Sequence, residues 1–262
     1  MFGWLKNKTN TTVADPPLVI ETADGALRRA FAGEQIGQLR RMLTDLLVGQ
    51  RLPNRIGFTS ALRNEGVTCI TLASAVTLAH DTGKRVCVVE LNWVAPGMLA
   101  NLRPLATPEV KSKRKAAQPE EVAPPLPVLP GVADVLRGQA TLDETLLATN
   151  YAGLRLLPAG VAALEQRPLL ARGTELRNLL DHLNTHFDYV LLDLPAVLET
   201  SDTLALAALA TAYAMVVRHG VTPVTEVRRA LNDLQHVPVL GVILNQAHIA
   251  TPRWIHRLIP QE

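Results

Sequence analysis

The sequence predicts a doubly wound α/β fold, with a mostly parallel sheet flanked by helices on both faces. Short apolar runs without alternation indicate strands that are buried on both sides. Segments with helical periodicity separate these runs, as in βαβ units. The chain has 262 residues, of which 48% are hydrophobic and 19% charged, so it is large enough to bury such a core. The predicted strands are 56–58, 86–89, 154–157, 189–192, 214–217 and 239–244.

The helical segments follow the same order along the chain. Apolar residues recur at helical spacing between 30 and 49, and further helices are expected at 67–82, 173–186, 201–211 and 223–235. This organisation predicts a flexible segment at 1–25, one α/β domain at 26–250 and a tail at 251–262.

The segment 103–130 departs from this pattern. It holds seven prolines and a cluster of basic residues, which predicts an extended insertion loop. The segment 1–12 combines aromatic and basic residues. Peripheral contact with a membrane through this segment or through the loop is an open alternative.

Composition excludes several classes of protein. The net charge of +2 gives no signature of nucleic-acid binding. Cys69 and Cys87 lie in apolar runs and are expected to be reduced, as is typical of a cytoplasmic protein. No charge-free apolar stretch is long enough for a transmembrane helix, and residues 1–12 lack the apolar core of a signal peptide.

The segment 59–68 joins the first of these strands to a helix, the context of a phosphate-binding loop. The pattern of that loop is G-x-x-x-x-G-K-[ST], in which the lysine reaches the β- and γ-phosphates. Gly66 and Thr68 match the pattern, but Val67 stands at the lysine position. Asn64 tolerates the positive φ that such a loop requires. Arg63 is the nearby cation that the sequence offers as a substitute.

Several motifs in order resemble the cytoplasmic domain of bacterial tyrosine kinases (BY-kinases), which regulate polysaccharide chain length and export and belong to the MinD/ParA class of P-loop ATPases. The resemblance covers about 34–245. It rests on the loop at 59–69, on V-V-E-L-N-W-V-A-P at 88–96, on Y-V-L-L-D-L-P-A-V-L at 189–198 and on G-V-I-L-N at 241–245.

The resemblance assigns roles to particular positions. Glu90 and Asp193 take the places of the two catalytic carboxylates, and Thr68 and Asp193 those of the Mg²⁺ ligands. Glu34 and Arg40 match a helix that forms a ring of subunits, although Gly37 replaces its middle arginine. A degenerate nucleotide-binding site is implied at Ser60, Arg63, Asn64, Glu65, Gly66, Val67, Thr68, Cys69, Asn92, Arg218 and Asn245.

The departures fall on the groups that handle phosphate and metal. Lysine is replaced by Val67, the two aspartates of the family motif by Glu90 and Asn92, and a C-terminal tyrosine cluster does not occur within 251–262. Phosphoryl transfer depends on positioning and charge stabilisation. The sequence therefore predicts a non-catalytic regulatory or scaffold protein of exopolysaccharide or capsule biosynthesis and export.

Two alternatives remain open, an atypical active ATPase or tyrosine autokinase of the same pathway and a MinD/ParA-like positioning protein. No catalytic residue, metal site or cofactor is assigned firmly, and weak binding of ATP or ADP with Mg²⁺ is left open. The implied partner is the cytoplasmic end of an inner-membrane polysaccharide co-polymerase or an active paralogue, with homo-oligomers as a further option. The expected location is the cytoplasm, at the inner face of the plasma membrane.

Overall fold

The computed structural model describes residues 15–102 and 128–247. The segments 1–12 and 251–262 lie outside these ranges, as does most of 103–130. The strands are β1 Leu18–Glu21, β2 Arg28–Phe31, β3 Arg55–Ser60, β4 Val86–Glu90, β5 Leu147–Ala148, β6 Leu154–Leu157, β7 Tyr189–Asp193, β8 Ala212–Arg218 and β9 Val239–Asn245. The helices are α1 Gly33–Val48, α2 Val67–Thr82, α3 Met98–Leu102, α4 Val132–Leu136, α5 Leu142–Thr145, α6 Arg167–Arg172, α7 Thr174–His186, α8 Asp202–Ala207 and α9 Val224–Asp233.

Seven strands form the central sheet in the order β5-β6-β4-β7-β3-β8-β9. All neighbouring pairs are parallel except β5 with β6, which is antiparallel. Each of the six predicted strands is present, so the predicted fold class is confirmed. The carboxyl ends of the parallel strands meet at one edge of the sheet, where ligands bind in folds of this kind.

The strands read as continuous apolar runs because each of their faces packs on a separate core. In β4, Val86 and Val88 face the core formed with α1 and α2, whereas Cys87 and Val89 face the core formed with α7 and α9. Burial raises the pKa of the Cys87 thiol far above its usual range, because the thiolate would lose its hydration. Cys87 therefore behaves as an apolar core residue.

The N-terminal prediction needs a correction. Residues 18–25 are not loose, because β1 and β2 form an antiparallel hairpin with Leu18 paired to Phe31. Ile20 and Phe31 are completely or almost completely buried against the core that contains α1 and α2. The helix predicted at 201–211 is also shorter, and α8 ends at Ala207 before the turn into β8.

The helix α1 carries the positions implied in a ring of subunits. Glu34 is exposed, but Arg40 forms a two-pronged ion pair with Asp81 of α2, with its Nε 2.6 Å and its Nη2 2.9 Å from the two carboxylate oxygens. Gly37 is buried, and a Cβ at this position would collide with the carboxylate of Asp15. Arg40 is thus engaged within the chain, and Gly37 makes room for Asp15.

Within residues 15–102 and 128–247, no helix is both long enough and apolar enough to span a bilayer.

Candidate functional site

The loop between β3 and α2 has the backbone of an anion-binding turn. Asn64 and Gly66 both adopt left-handed conformations, with φ of 63° and 90°. Gly66 is the residue directly before α2, so the free N–H groups of the first helical turn point back along the helix axis into the loop. Helix α2 has 16 residues, and its N-terminal end carries the positive end of the helix dipole. The prediction of a phosphate-loop backbone at 59–68 is consistent with this geometry.

Val67 is the first residue of α2, and its side chain packs against the core that α1 and α2 share. The loop therefore presents backbone N–H groups without the lysine that would carry charge to a ligand. Ser60 is buried, and its hydroxyl donates to the carbonyl of Leu62 at 2.7 Å. Ser60 therefore stabilises the bend of the loop.

Two residues, one from the loop after β8 and one at the end of β9, hold the loop in place. The Asn245 side chain donates to the carbonyl of Glu65 at 2.8 Å, and the Thr222 hydroxyl donates to the Glu65 carboxylate at 2.5 Å. A Cβ on Gly66 would collide with the amide of Asn245. Burial raises the pKa of Glu65. Arg218 contributes through its backbone, since its N–H donates to the Thr222 hydroxyl at 3.3 Å.

Glu90 ends β4, and both oxygens of its carboxylate accept backbone N–H groups. One oxygen accepts the N–H groups of Gly97 at 2.6 Å and Met98 at 2.7 Å, and the other accepts the N–H group of Ala159 at 3.0 Å. Glu90 is 1% exposed. Burial raises its pKa, and the three backbone hydrogen bonds act in the opposite direction. Its carboxylate thus joins the loop that enters α3 to the loop that follows β6.

Asp193 ends β7 directly beside Glu90, with which it is in register. It is completely buried, and neither of its carboxylate oxygens has a partner with regular hydrogen-bond geometry among the described residues. Burial raises the pKa of Asp193 well above its usual range, and the charge of Glu90 raises it further. The hydroxyl of Thr68, in the first turn of α2, lowers this pKa but offsets only part of the effect.

Asn92 and Arg63, which the sequence places at the site, make local contacts. The Asn92 side chain accepts the N–H group of Ala95 at 3.0 Å and so closes a tight turn after β4. The guanidinium of Arg63 forms an ion pair with the carboxylate of Glu199, in the loop after β7. Arg63 is therefore neutralised by a neighbouring acid.

These residues fit a divalent cation only in part. Mg²⁺ prefers one or two carboxylate oxygens and completes its octahedron with hydroxyl, water and phosphate oxygens. The unpartnered oxygens of Asp193 and the hydroxyl of Thr68 suit such an ion. Glu90 does not, because both of its oxygens already accept N–H groups. Within the described ranges, no cluster of three His, Cys, Asp or Glu residues has the arrangement of a metal site.

The structure also brings to the site residues that the sequence did not single out. Thr222 and Glu199 come from loops at the same edge of the sheet. Arg29, on β2, reaches the first turn of α2, where its Nη2 lies 3.3 Å from the Sγ of Cys69. No local motif marks these three positions. The contact of Arg29 joins residues 40 positions apart in the sequence, and that of Thr222 joins residues 157 positions apart.

Comparison with known proteins identifies relatives by sequence. No family model matches the chain. It is 31% identical over 195 residues to the succinoglycan biosynthesis transport protein ExoP of Rhizobium meliloti, a match that covers 73% of this chain and 22% of ExoP. It is 32% identical over 127 residues to the putative tyrosine-protein kinase EpsB of Ralstonia nicotianae, covering 48% of this chain and 17% of EpsB. The chain thus spans about a fifth of the length of these curated relatives.

Solved structures share the fold. The kinase domain of Escherichia coli tyrosine kinase ETK matches with a TM-score of 0.65 and 19% identity, over 82% of this chain and 78% of the other. The septum site-determining protein MinD of Pyrococcus horikoshii, solved with Mg-ADP, matches with a TM-score of 0.54 and 18% identity, over 77% of this chain and 75% of MinD. At these identities the comparison establishes the architecture alone.

Proposed function

The chain belongs to the bacterial tyrosine kinases of the MinD/ParA P-loop class, and from this premise we propose that it is a non-catalytic regulatory or scaffold protein in exopolysaccharide or capsule biosynthesis and export. The relative with the longest match reported above is named a succinoglycan biosynthesis transport protein, which supports this pathway. The proposal separates the fold, which the chain shares with kinases, from phosphoryl transfer, which it lacks.

The observation that carries the proposal is the state of Glu90. A carboxylate that activates the attacking group or binds Mg²⁺ needs a free oxygen directed at the ligand. Both oxygens of Glu90 accept backbone N–H groups from two loops. Glu90 therefore acts as a structural tie between these loops and leaves the reaction without one of its two acids.

The positive charge of the site is reduced in the same way. Val67 brings no cation to the loop, and the guanidinium of Arg63 is paired with Glu199. Phosphoryl transfer builds negative charge on the transferred group, and the enzyme must stabilise it with preorganised cations. Neither residue supplies that stabilisation in this arrangement.

The proposed partner is the cytoplasmic end of an inner-membrane polysaccharide co-polymerase, or an active paralogue of this chain. A scaffold requires only a stable surface, which the seven-stranded sheet and its helices supply. The proposed location is the inner face of the plasma membrane. The pairing of Arg40 with Asp81 supports an assembly that does not use Arg40 as a contact between copies.

The experiment is a measurement of ATP hydrolysis and tyrosine autophosphorylation by the purified chain. We expect no turnover above background, because the site lacks both a free second carboxylate and the loop lysine. Turnover at ordinary kinase rates, around 1 s⁻¹ or more, would overturn the proposal. A homologue with an intact lysine loop, assayed in parallel, shows that the conditions support the reaction.

A second candidate is an atypical active ATPase or autokinase of the same pathway, and the state of Asp193 favours it. This buried carboxylate has unpartnered oxygens beside Thr68, as a Mg²⁺ ligand would. A MinD/ParA-like positioning protein is the third, supported by the likeness to MinD in fold. The turnover assay distinguishes the second candidate from the scaffold, and nucleotide-dependent dimerisation in solution distinguishes the third.

A further inference from the structure

Arg29 lies at the first turn of α2, although it belongs to the hairpin that precedes α1. Its Nη2 is 3.3 Å from the Sγ of Cys69, the third residue of α2. Its Nη1 donates to the carbonyl of Asn101, in α3, at 3.2 Å. Side chains of a helix lean toward its N-terminus. The Sγ of Cys69 therefore lies beside the first residues of α2. The guanidinium is therefore close to the positive end of the helix dipole.

The charge of Arg29 is not compensated among the described residues. No described carboxylate comes within 4.0 Å of its nitrogens to form an ion pair, and its Nε is buried without a hydrogen-bond partner. The ring of Phe31 lies 5.6 Å from the guanidinium carbon and offers only a cation–π contact. A cation beside the N-terminal end of a helix is unfavourable unless an anion lies near both. This position thus favours an anionic ligand.

A second observation at the same turn points to a ligand independently. Asp193 is completely buried, and its two oxygens have no partner among the described residues. The hydroxyl of Thr68, the second residue of α2, is close enough to influence it. An anionic group with an associated cation would satisfy Arg29, the N–H groups of α2 and Asp193 together. The phosphates of a nucleotide with Mg²⁺ have that chemistry.

We propose that Arg29 replaces the missing loop lysine as the cation of this site, and that it binds the phosphates of a nucleoside diphosphate with Mg²⁺. The inference deepens the proposed function, because a protein without turnover can still be switched by the nucleotide it binds. Arg63, the substitute that the sequence suggested, forms an ion pair with Glu199 in the loop after β7. Arg29 approaches instead from β2, a strand that lies outside the central sheet.

The test is a thermal-shift titration of the purified chain with ADP or pyrophosphate at millimolar concentration, with Mg²⁺. A ligand that binds the folded state raises Tm by mass action. We expect the wild type to be stabilised and Arg29→Ala to bind about 10- to 100-fold more weakly, as for the loss of a charged hydrogen bond. Arg28→Ala is the matched control, because Arg28 is on the same hairpin but is exposed and paired with Glu21 at 3.5 Å. It should leave binding unchanged.

Two further variants separate charge from packing. Arg29→Lys keeps the cation and should keep most of the affinity, whereas Arg29→Gln, of similar length but neutral, should lose it. A purely structural role would lower the Tm of the ligand-free variants without this difference in affinity. Val67→Lys, placed in the Arg29→Ala background, should restore binding, since it returns a cation to the same phosphates.

The binding experiment and the turnover assay test the role of Arg29 and the non-catalytic function separately. A wild type that neither ADP nor pyrophosphate stabilises would overturn the inference, as would full affinity in both Arg29→Ala and Arg29→Gln. ATP hydrolysis by the wild type would overturn the non-catalytic function and leave the role of Arg29 intact. Stabilisation by pyrophosphate alone would support the phosphate contact of Arg29 and remove the nucleoside from the proposal.

Discussion

Replacing Asp193 with Asn should stabilise the ligand-free protein at pH 8. Asp193 is completely buried, its oxygens have no partner among the described residues, and Glu90 adds a second negative charge beside it. Both burial and Glu90 raise the pKa of Asp193 well above its unfolded value of 3.8. The ionised form is therefore costly in the folded state, and Asn has nearly the same shape without the charge.

The sign of the pH dependence follows from the raised pKa. The contribution of Asp193 to stability is fully present below pH 3.8 and is lost as the pH rises toward its folded pKa. Over that window the loss is at most about 1.4 kcal/mol per pH unit for one group. We expect the advantage of Asp193→Asn over the wild type to be smaller at pH 5 than at pH 8, where it should reach about 1–3 kcal/mol, the usual cost of an unpaired buried polar group.

Urea unfolding at pH 5 and pH 8, followed by circular dichroism, measures both differences in the free energy of unfolding. Adding Mg²⁺ should stabilise the wild type more than Asp193→Asn, because the neutral amide is a poorer ligand. A variant that is less stable than the wild type at pH 8, or equally affected at both pH values, would refute the reasoning. Asp188→Asn is a control, since Asp188 is a partly exposed carboxylate with a lowered pKa.

Three further predictions concern the residues that shape the site. Glu90→Gln should lower the free energy of unfolding by about 1–3 kcal/mol, because the NH₂ group of Gln cannot accept the hydrogen bond that one of the two loops donates. A loss below roughly 0.5 kcal/mol in urea unfolding would contradict the role of Glu90 in joining the loops. Gly66→Ala should cost at least about 1 kcal/mol, since φ is 90° and the new Cβ meets Asn245, and Asn245→Ala in the same chain should recover part of the loss by calorimetry. Arg40→Ala should cost about 0.5–1 kcal/mol through its ion pairs with Asp81 and Asp15. A cost unchanged by high salt would argue against ion pairs as its origin.

The sequence was sufficient for the sheet but not for the hairpin. Continuous apolar runs such as 189–192 reveal strands buried on both faces, and the structure confirms each of them. β1 and β2 have only four residues each, too few to establish a periodic pattern. Their stability comes from Ile20 and Phe31, which pack against a helix distant in sequence. Such tertiary packing cannot be read from local composition.

The site was predictable in position but not in its contacts. The spacing around Gly66 located the loop, and the apolar run before Asp193 located the strand end. The engagement of Glu90 could not be foreseen, because its donors include Ala159, which is 69 residues away along the chain. Arg63 was the nearest cation in sequence, but its charge is directed to Glu199. Proximity along the chain therefore gave no indication of Arg29, whose Nη2 lies 3.3 Å from the Sγ of Cys69 in α2.

Glu90 and Asp193 end adjacent strands in register, yet the structure treats them in opposite ways. Three backbone N–H groups compensate Glu90, whereas Asp193 is left buried without a partner among the described residues. A fold that needed Asp193 only for packing would be more stable with a neutral side chain, because an unpaired buried charge is destabilising. Arg29, which is half-buried at the first turn of α2, also has no described carboxylate as a partner, and its Nε is buried without a hydrogen bond. One ligand that carries phosphate and a divalent cation would compensate both charges. The chain can therefore lack the lysine and the free second acid of catalysis while its remaining charges still form a binding site.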